Sequence, residues 1–166
     1  MIRIGIVRSY QINEADAMTY RDVAGLGVEC DFIGTQEVKL GSLGSFVHEH
    51  SEAGYQSILD RGYDILDVPD PMYDWACWLV ERHPKVVITV WENLPWRMMG
   101  ENWKAALEKA ALVVTRSHMA QAALIELGVP KDKVHVIPAG VDIEMFKQGD
   151  KEGFPTVLYP GRMVWQ

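Results

Sequence analysis

Short apolar blocks alternate along the chain with longer amphipathic ones, a pattern that predicts strands followed by helices. The apolar blocks predict strands at residues 2–7, 28–33, 63–68, 85–90, 112–115 and 133–137. Apolar runs without strict alternation are typical of strands covered on both faces of a parallel sheet. We therefore predict an α/β fold with a doubly wound, Rossmann-like parallel sheet of roughly six strands, with residues 2–7 and 85–90 near its centre.

Helices are predicted between these strands from apolar residues at helical spacing. Residues 34–44 are expected to form a loop, and residues 45–60 are expected to be mostly helical. Polar residues just before the apolar stripes are expected to cap later helices, namely Asp74, Asn102 and Ser117. The buried stripes of the last two helices are predicted to be Trp103, Ala106, Leu107 and Ala110, then Ala120, Ala123, Leu124 and Leu127, with an end at Gly128.

The pattern also divides the chain into three parts. Residues 1–147 are expected to form one Rossmann-like domain, and residues 148–155 a polar, glycine-bearing linker. Residues 156–166 are interpreted as the first strand and loop of a second domain that is truncated here. An unpaired apolar strand adheres to other strands, so self-association is expected through this tail or through the face left open.

Composition narrows the classes of partner. With 166 residues, 48% apolar content and a net charge of −7, the chain can bury one core and lacks the basic patch that nucleic acid and anionic membranes require. Cys30 and Cys77 lie outside any CxxC pattern and are interpreted as reduced thiols, which fits a cytoplasmic protein. The first apolar run reaches Arg8 too soon for a signal peptide or membrane span.

Candidate site residues are expected where the strands end, because ligands of such sheets bind beyond the carboxyl ends of the strands. The strand at 85–90 ends in Trp91, Glu92 and Asn93. Glu92 is a candidate base or a partner for a sugar hydroxyl, and Trp91 or Trp96 could stack on a sugar; a cap or surface carboxylate and core indoles are the structural alternatives. No metal is expected, because His48 and His50 would diverge at a helix start and have no third ligand at metal spacing.

An ordered series of motifs between residues 112 and 163 resembles the group 1 (family-4 type) nucleotide-sugar glycosyltransferases. The series comprises Val113-Val-Thr-Arg-Ser117, Gly128-Val-Pro130, Val136-Ile-Pro-Ala-Gly-Val-Asp142, Phe146 and Tyr159-Pro-Gly-Arg162. The resemblance implies a GT-B architecture of two Rossmann-like halves, the first mainly holding the acceptor and the second the nucleotide-sugar. It also implies transfer with retention, without an obligatory metal or any cofactor.

The resemblance and the strand ends together suggest the site residues. Arg162 matches the arginine that meets the donor diphosphate, after the turn at Gly161, and Gly140 to Asp142 match the hinge facing the cleft. Gly140 is expected to turn there with positive φ. The acceptor side is expected to comprise Ser9, Tyr10, Trp91, Asn93 and Arg116, with Glu92 as the candidate catalytic group. The chain departs from the family in lacking a Gly-Gly pair after the first strand.

Three functions are compatible with the sequence. The first is the acceptor-side domain of a glycosyltransferase, inactive by itself, whose partners are a nucleotide-sugar donor, an acceptor and the second domain. The second is a nucleotide-sugar epimerase of the UDP-N-acetylglucosamine 2-epimerase kind. The third is a non-catalytic module that binds a partner chain.

Overall fold

A seven-stranded parallel sheet forms the centre of the molecule. The computed structural model describes residues 1–8, 26–35, 44–69, 74–90 and 101–140. The strands are β1 (Ile2–Val7), β2 (Val28–Gly34), β3 (Gly44–Val47), β4 (Ile65–Pro69), β5 (Val86–Val90), β6 (Leu112–Thr115) and β7 (Val134–Val136). Their spatial order is β3-β2-β1-β4-β5-β6-β7. The predicted parallel sheet is confirmed, and β1 and β5 flank its middle strand, β4.

Helices follow most of the strands along the chain. They are α1 (Glu52–Asp60), α2 (Asp74–Arg82), α3 (Glu101–Lys109) and α4 (His118–Glu126), and a 3-10 turn spans Lys131–Lys133. One apolar cluster joins Val7, Ile33, Leu66, Ile88, Val113 and Val134 of the strands to Ile58, Leu79, Leu107 and Leu124 of the helices. The four described helices therefore pack against the same face of the sheet.

The connections explain this one-sided packing. The chain steps from β1 outward to β2 and β3, and then crosses back to β4 and continues outward to β7. Connections between parallel strands are right-handed, so a change in the direction of stepping moves the connecting segment to the other face. The segments from β3 onward accordingly place α1 to α4 together, and the reversal lies between β1 and β4.

Two helix ends behave as their sequences predict. Ser117 is the N-cap of α4, where its hydroxyl accepts a hydrogen bond from the Ala120 amide. At the other end Gly128 has φ of 94°, and the amides of Gly128 and Val129 donate to the carbonyls of Ile125 and Leu124. This is a Schellman motif, in which glycine avoids the strain that a side chain meets at positive φ.

Several predicted elements are wrong in detail. Residues 44–47 form β3 rather than the end of a loop and the start of a helix, because they pair with β2, and α1 begins only after the Ser51 cap. Asp74 and Asn102 are already helical rather than caps. On α4, Ala123 is half-buried and Leu127 is 37% exposed, so two of the four predicted positions are not fully buried. The predicted linker and second-domain start, 148–166, lie outside the described residues.

Candidate functional site

The candidate site is the edge of the sheet where the parallel strands end. In open α/β sheets ligands bind beyond the carboxyl ends of the strands, at the point where the order of strands reverses. Here that point lies between β1 and β4. The described groups nearest to it come from the ends of β1, β4 and β5 and from the first turns of α1 and α2.

A buried ion pair spans the reversal point. A guanidinium nitrogen of Arg8 donates to Asp67 Oδ2 at 3.0 Å, and Thr89 Oγ1 donates to Asp67 Oδ1 at 2.8 Å. The register pairs Ile6 with Asp67 and Asp67 with Val87. Arg8 and Thr89 stand two residues beyond those partners, so all three polar side chains project from the same face of the sheet.

Burial makes this network costly to disturb. Arg8 has no exposed surface, while the Asp67 side chain is 14% exposed. A second guanidinium nitrogen of Arg8 donates to the Val7 carbonyl at 2.7 Å, and the Arg8 amide donates to Ile33 at 2.8 Å. A fully buried arginine is retained only where carboxylate and carbonyl oxygens replace its water. The network therefore holds Arg8 in a fixed position at the end of β1.

A group of rings, which we name the aromatic cluster, lies on the helical side of the same edge. It comprises His48, His50, Tyr55, Trp75 and Trp78. The centroids of the first three rings form a triangle with sides of 5.6, 5.9 and 6.3 Å. The Tyr55 ring lies 6.4 Å from that of Trp75 and 5.9 Å from that of Trp78. These residues follow β3 or stand in the first turns of α1 and α2, which places them at the carboxyl edge.

His48 is the buried member of the aromatic cluster, with 6% of its surface exposed. Its Nδ1 lies 2.8 Å from the Glu49 carbonyl oxygen. A carbonyl only accepts, so Nδ1 carries the hydrogen and Nε2 of the neutral ring is an acceptor. Nε2 is buried and has no hydrogen-bond partner in the part of the chain that the structure describes. Burial lowers the pKa of His48, and the nearby His50 lowers it further against the opposing effect of the Glu49 carbonyl, so the neutral form is favoured.

The prediction that His48 and His50 diverge is wrong. Their rings meet edge to face, because residues 48–50 are not helical but link β3 to the Ser51 cap. Among the described residues, no three His, Cys, Asp or Glu side chains come together in a way that could hold a metal ion. Within the same residues, no helix is long and apolar enough to cross a membrane.

Two of the predicted site residues are described. Arg116 is half-buried and directly follows β6, which places it at the expected edge, next to the Ser117 cap. Gly140 is exposed, and its φ lies outside the left-handed region; the expected positive φ is wrong, because the chain leaves the sheet in a conformation open to any residue. The remaining predicted residues lie outside the described part of the chain, namely Ser9, Tyr10, Trp91, Glu92, Asn93, Trp96, Asp142, Gly161 and Arg162.

Sequence reasoning missed both the polar network of Arg8 and the aromatic cluster at this edge. Asp67 and Thr89 are polar residues within otherwise apolar strands, and Arg8 directly follows one. A buried strand admits a charge only with a partner, so these positions carried a usable signal. The aromatic cluster left no comparable signal, because its rings come from three segments that the fold alone brings together.

The chain can now be compared with known proteins. The glycosyltransferase family 4 model matches residues 42–145, a stretch that holds strands β3 to β7 and helices α1 to α4. Among curated proteins, no sequence matches this chain.

Solved structures share the fold. HepE of Anabaena in complex with UDP-glucose matches with a TM-score of 0.67 at 16% identity, over 90% of this chain and 47% of HepE. The HepE complex with UDP and glucose matches with a TM-score of 0.66 at 14% identity, over the same shares of the two chains. The UDP-GlcNAc 2-epimerase of Methanocaldococcus jannaschii matches with a TM-score of 0.51 at 9% identity, over 81% of this chain and 45% of the epimerase.

These structures and the family model agree on the architecture. The chain spans about half the length of the solved proteins that it matches, and its parallel sheet is that of one Rossmann-like half of a GT-B glycosyltransferase. The family model covers well over half of the sequence. The chain therefore belongs to glycosyltransferase family 4.

Proposed function

We propose that this chain is the acceptor-side half of a glycosyltransferase that transfers a sugar from a nucleotide-sugar to an acceptor hydroxyl with retention of configuration. The observation that carries the proposal is the family match over residues 42–145. The sheet in that stretch gathers its polar and aromatic groups at the carboxyl edge, where ligands of such folds bind.

The donor class is supported by the similar structures. HepE is seen with UDP-glucose, with UDP, and with UDP and glucose. In GT-B enzymes the nucleotide-sugar belongs mainly to the second half, and this chain spans about half of HepE. We therefore assign donor binding mainly to a second domain, with Gly161 and Arg162 contributing to the diphosphate site and Gly140 and Asp142 to the hinge.

The chemistry assigned to this half concerns the acceptor. Transfer breaks the bond between the anomeric carbon and the diphosphate oxygen, and joins that carbon to the acceptor oxygen on the same face of the ring. The acceptor proton leaves to a base, for which Glu92 directly beyond β5 is the candidate. Ser9, Tyr10, Trp91, Asn93 and Arg116 are proposed to hold the acceptor, since each follows a strand at this edge.

The epimerase alternative has weaker support. The likeness to UDP-GlcNAc 2-epimerase, at 9% identity, concerns the fold alone. The family model that matches this chain is that of glycosyltransferases. A partner-binding module without catalysis has no observation in its favour.

Titration calorimetry of the chain with UDP-glucose tests whether donor binding belongs mainly to a second domain. If the donor site belongs to a second domain, the dissociation constant should be no better than about 1 mM, or roughly 4 kcal/mol of binding free energy. A micromolar constant, or sugar transfer by this chain alone, would place the donor site within these residues and contradict the proposal. With the donor half present, NMR of the first-formed product reports its anomeric configuration, and an inverted product would exclude retention.

A further inference from the structure

The aromatic cluster extends from the apolar core to the protein surface, because Trp75 belongs to the core and Tyr55 and Trp78 pack against it. Tyr55 and Trp78 are half-buried and His50 is exposed, although the rings lie within van der Waals reach of one another. The Arg82 guanidinium lies 4.1 Å from the centroid of the Trp78 ring and keeps a positive charge beside it. Aromatic rings with polar tips suit ligands that have both apolar faces and hydroxyl groups.

The buried acceptor beneath these rings points to the chemistry of the ligand. His48 Nε2 carries a lone pair that meets no donor among the described residues, and native proteins rarely leave such a group unpaired. The ring is held by its Nδ1 contact with the Glu49 carbonyl, so the lone pair keeps a fixed direction. An O–H group is the matching donor.

One exposed side chain packs on the His48 ring. His50 packs edge to face on His48, and its Nδ1 lies 3.3 Å from the Tyr55 hydroxyl, at the long end of the hydrogen-bond range. Because His50 is exposed, its side chain can change rotamer rapidly. A ligand that displaces His50 would reach the surfaces of the His48 and Tyr55 rings that His50 contacts.

Building on the proposed function, we propose that the aromatic cluster is a saccharide subsite on the acceptor side. A sugar ring of the acceptor displaces His50, stacks on Tyr55, and donates a hydroxyl hydrogen bond to His48 Nε2. The subsite lies beside the reversal point of the sheet, so a longer acceptor could occupy it while its reacting hydroxyl reaches the strand ends beyond β4 and β5. No covalent step takes place at the subsite.

The test uses the whole chain labelled with ¹⁵N at histidine and titrated with methyl glycosides of glucose, mannose and N-acetylglucosamine. At least one glycoside should bind and shift the His48 Nε2 resonance. His48→Phe keeps a ring but removes the acceptor, and Tyr55→Leu removes the stacking surface; each should weaken binding at least about tenfold. His50→Ala should not weaken it, because His50 is displaced, and the surface control His118→Ala should bind as the wild type does.

The ring resonance needs no mutation, so the test remains decisive even if a variant fails to fold. Three outcomes would each overturn the subsite. The first is a His48 resonance that does not change at saturation, and the second is an affinity of the His48→Phe and Tyr55→Leu variants equal to that of the wild type. The third is failure of all three glycosides to bind. Glycoside binding that leaves His48 unaffected would overturn the subsite and leave the acceptor-side function standing. Micromolar UDP-glucose binding would instead contradict the function itself.

Discussion

Replacing Asp67 by alanine should be among the most destabilising changes to the described part of the chain. The carboxylate accepts hydrogen bonds from Arg8 at 3.0 Å and from Thr89 at 2.8 Å. Asp67→Ala removes both contacts and takes a carboxylate away from the guanidinium of Arg8, which has no exposed surface.

The magnitude follows from the burial of the pair. Two unit charges 3.0 Å apart attract by roughly 5–6 kcal/mol at an effective dielectric constant of about 20. Desolvation of the carboxylate offsets part of this attraction, and the 14% exposure of the Asp67 side chain weakens the attraction further. Removing one partner of a buried pair typically costs about 3–5 kcal/mol. We expect a loss of about 3–4 kcal/mol, a large share of the roughly 5–15 kcal/mol that stabilises a domain.

Urea unfolding at neutral pH, followed by tryptophan fluorescence, measures this loss. The slope with denaturant should stay constant, so that the shift in midpoint reports stability. Asp60→Ala is the matched control, because Asp60 is exposed on α1; it should change the free energy of unfolding by no more than about 0.5 kcal/mol. Thr89→Val removes one hydrogen bond to the carboxylate and should cost about 1.5–3 kcal/mol.

The decisive comparison is a hydrophobic replacement of the whole pair. Arg8→Met combined with Asp67→Leu buries neither charge, so this double variant should be more stable than Asp67→Ala, as buried pairs replaced by apolar residues often are. If Asp67→Ala loses less than about 1 kcal/mol, or if the double variant is the less stable of the two, the argument from the buried ion pair is wrong.

Two further outcomes are expected from the backbone and from titration. Gly128→Ala should lower the free energy of unfolding by about 1 kcal/mol or more, because φ at Gly128 is 94°. Gly140→Ala should be nearly neutral, since φ at Gly140 is not in that region and a Cβ would meet open space. Similar losses of stability at both sites in urea unfolding would contradict this. Burial, followed by the hydrogen bond to Asp31, raises the pKa of Tyr63 from 10.0 to about 12. The folded state therefore favours the neutral phenol, and the stabilising contribution of that hydroxyl is complete below pH 10 and lost toward pH 12. The difference in free energy of unfolding between wild type and Tyr63→Phe should shrink over that range, and a difference that grows would refute the assignment.

The sequence by itself determined the elements whose signals are local. Strands β1, β2, β5 and β6 follow from apolar runs, and the stripe through Trp103, Ala106, Leu107 and Ala110 is buried as its spacing predicts. The Ser117 cap and the Gly128 turn depend on groups within a few residues of each other. Such signals are readable because the contacts that satisfy them are adjacent in sequence.

Strand β3 is an element that the local sequence pattern did not predict. Its four residues include glycine and serine, and the helical pattern that follows them predicted a helix from residue 45 onward. Pairing with β2, from Asp31 with Gly44 to Gly34 with Val47, decides the strand. Strand propensity depends on neighbours across the sheet and not on the segment alone, so the sequence could not resolve this element.

The candidate site divides in the same way. The sequence located the edge, because strand ends mark it, and Arg116 lies there as expected. It could not bring Arg8 to Asp67 across 59 residues, nor seat His48 and His50 against Tyr55. Those contacts depend on the order of the strands and on which face each helix covers, and that order is set by the burial of the whole sheet. Local pattern thus determined the elements and their ends, and tertiary packing decided which of their side chains meet.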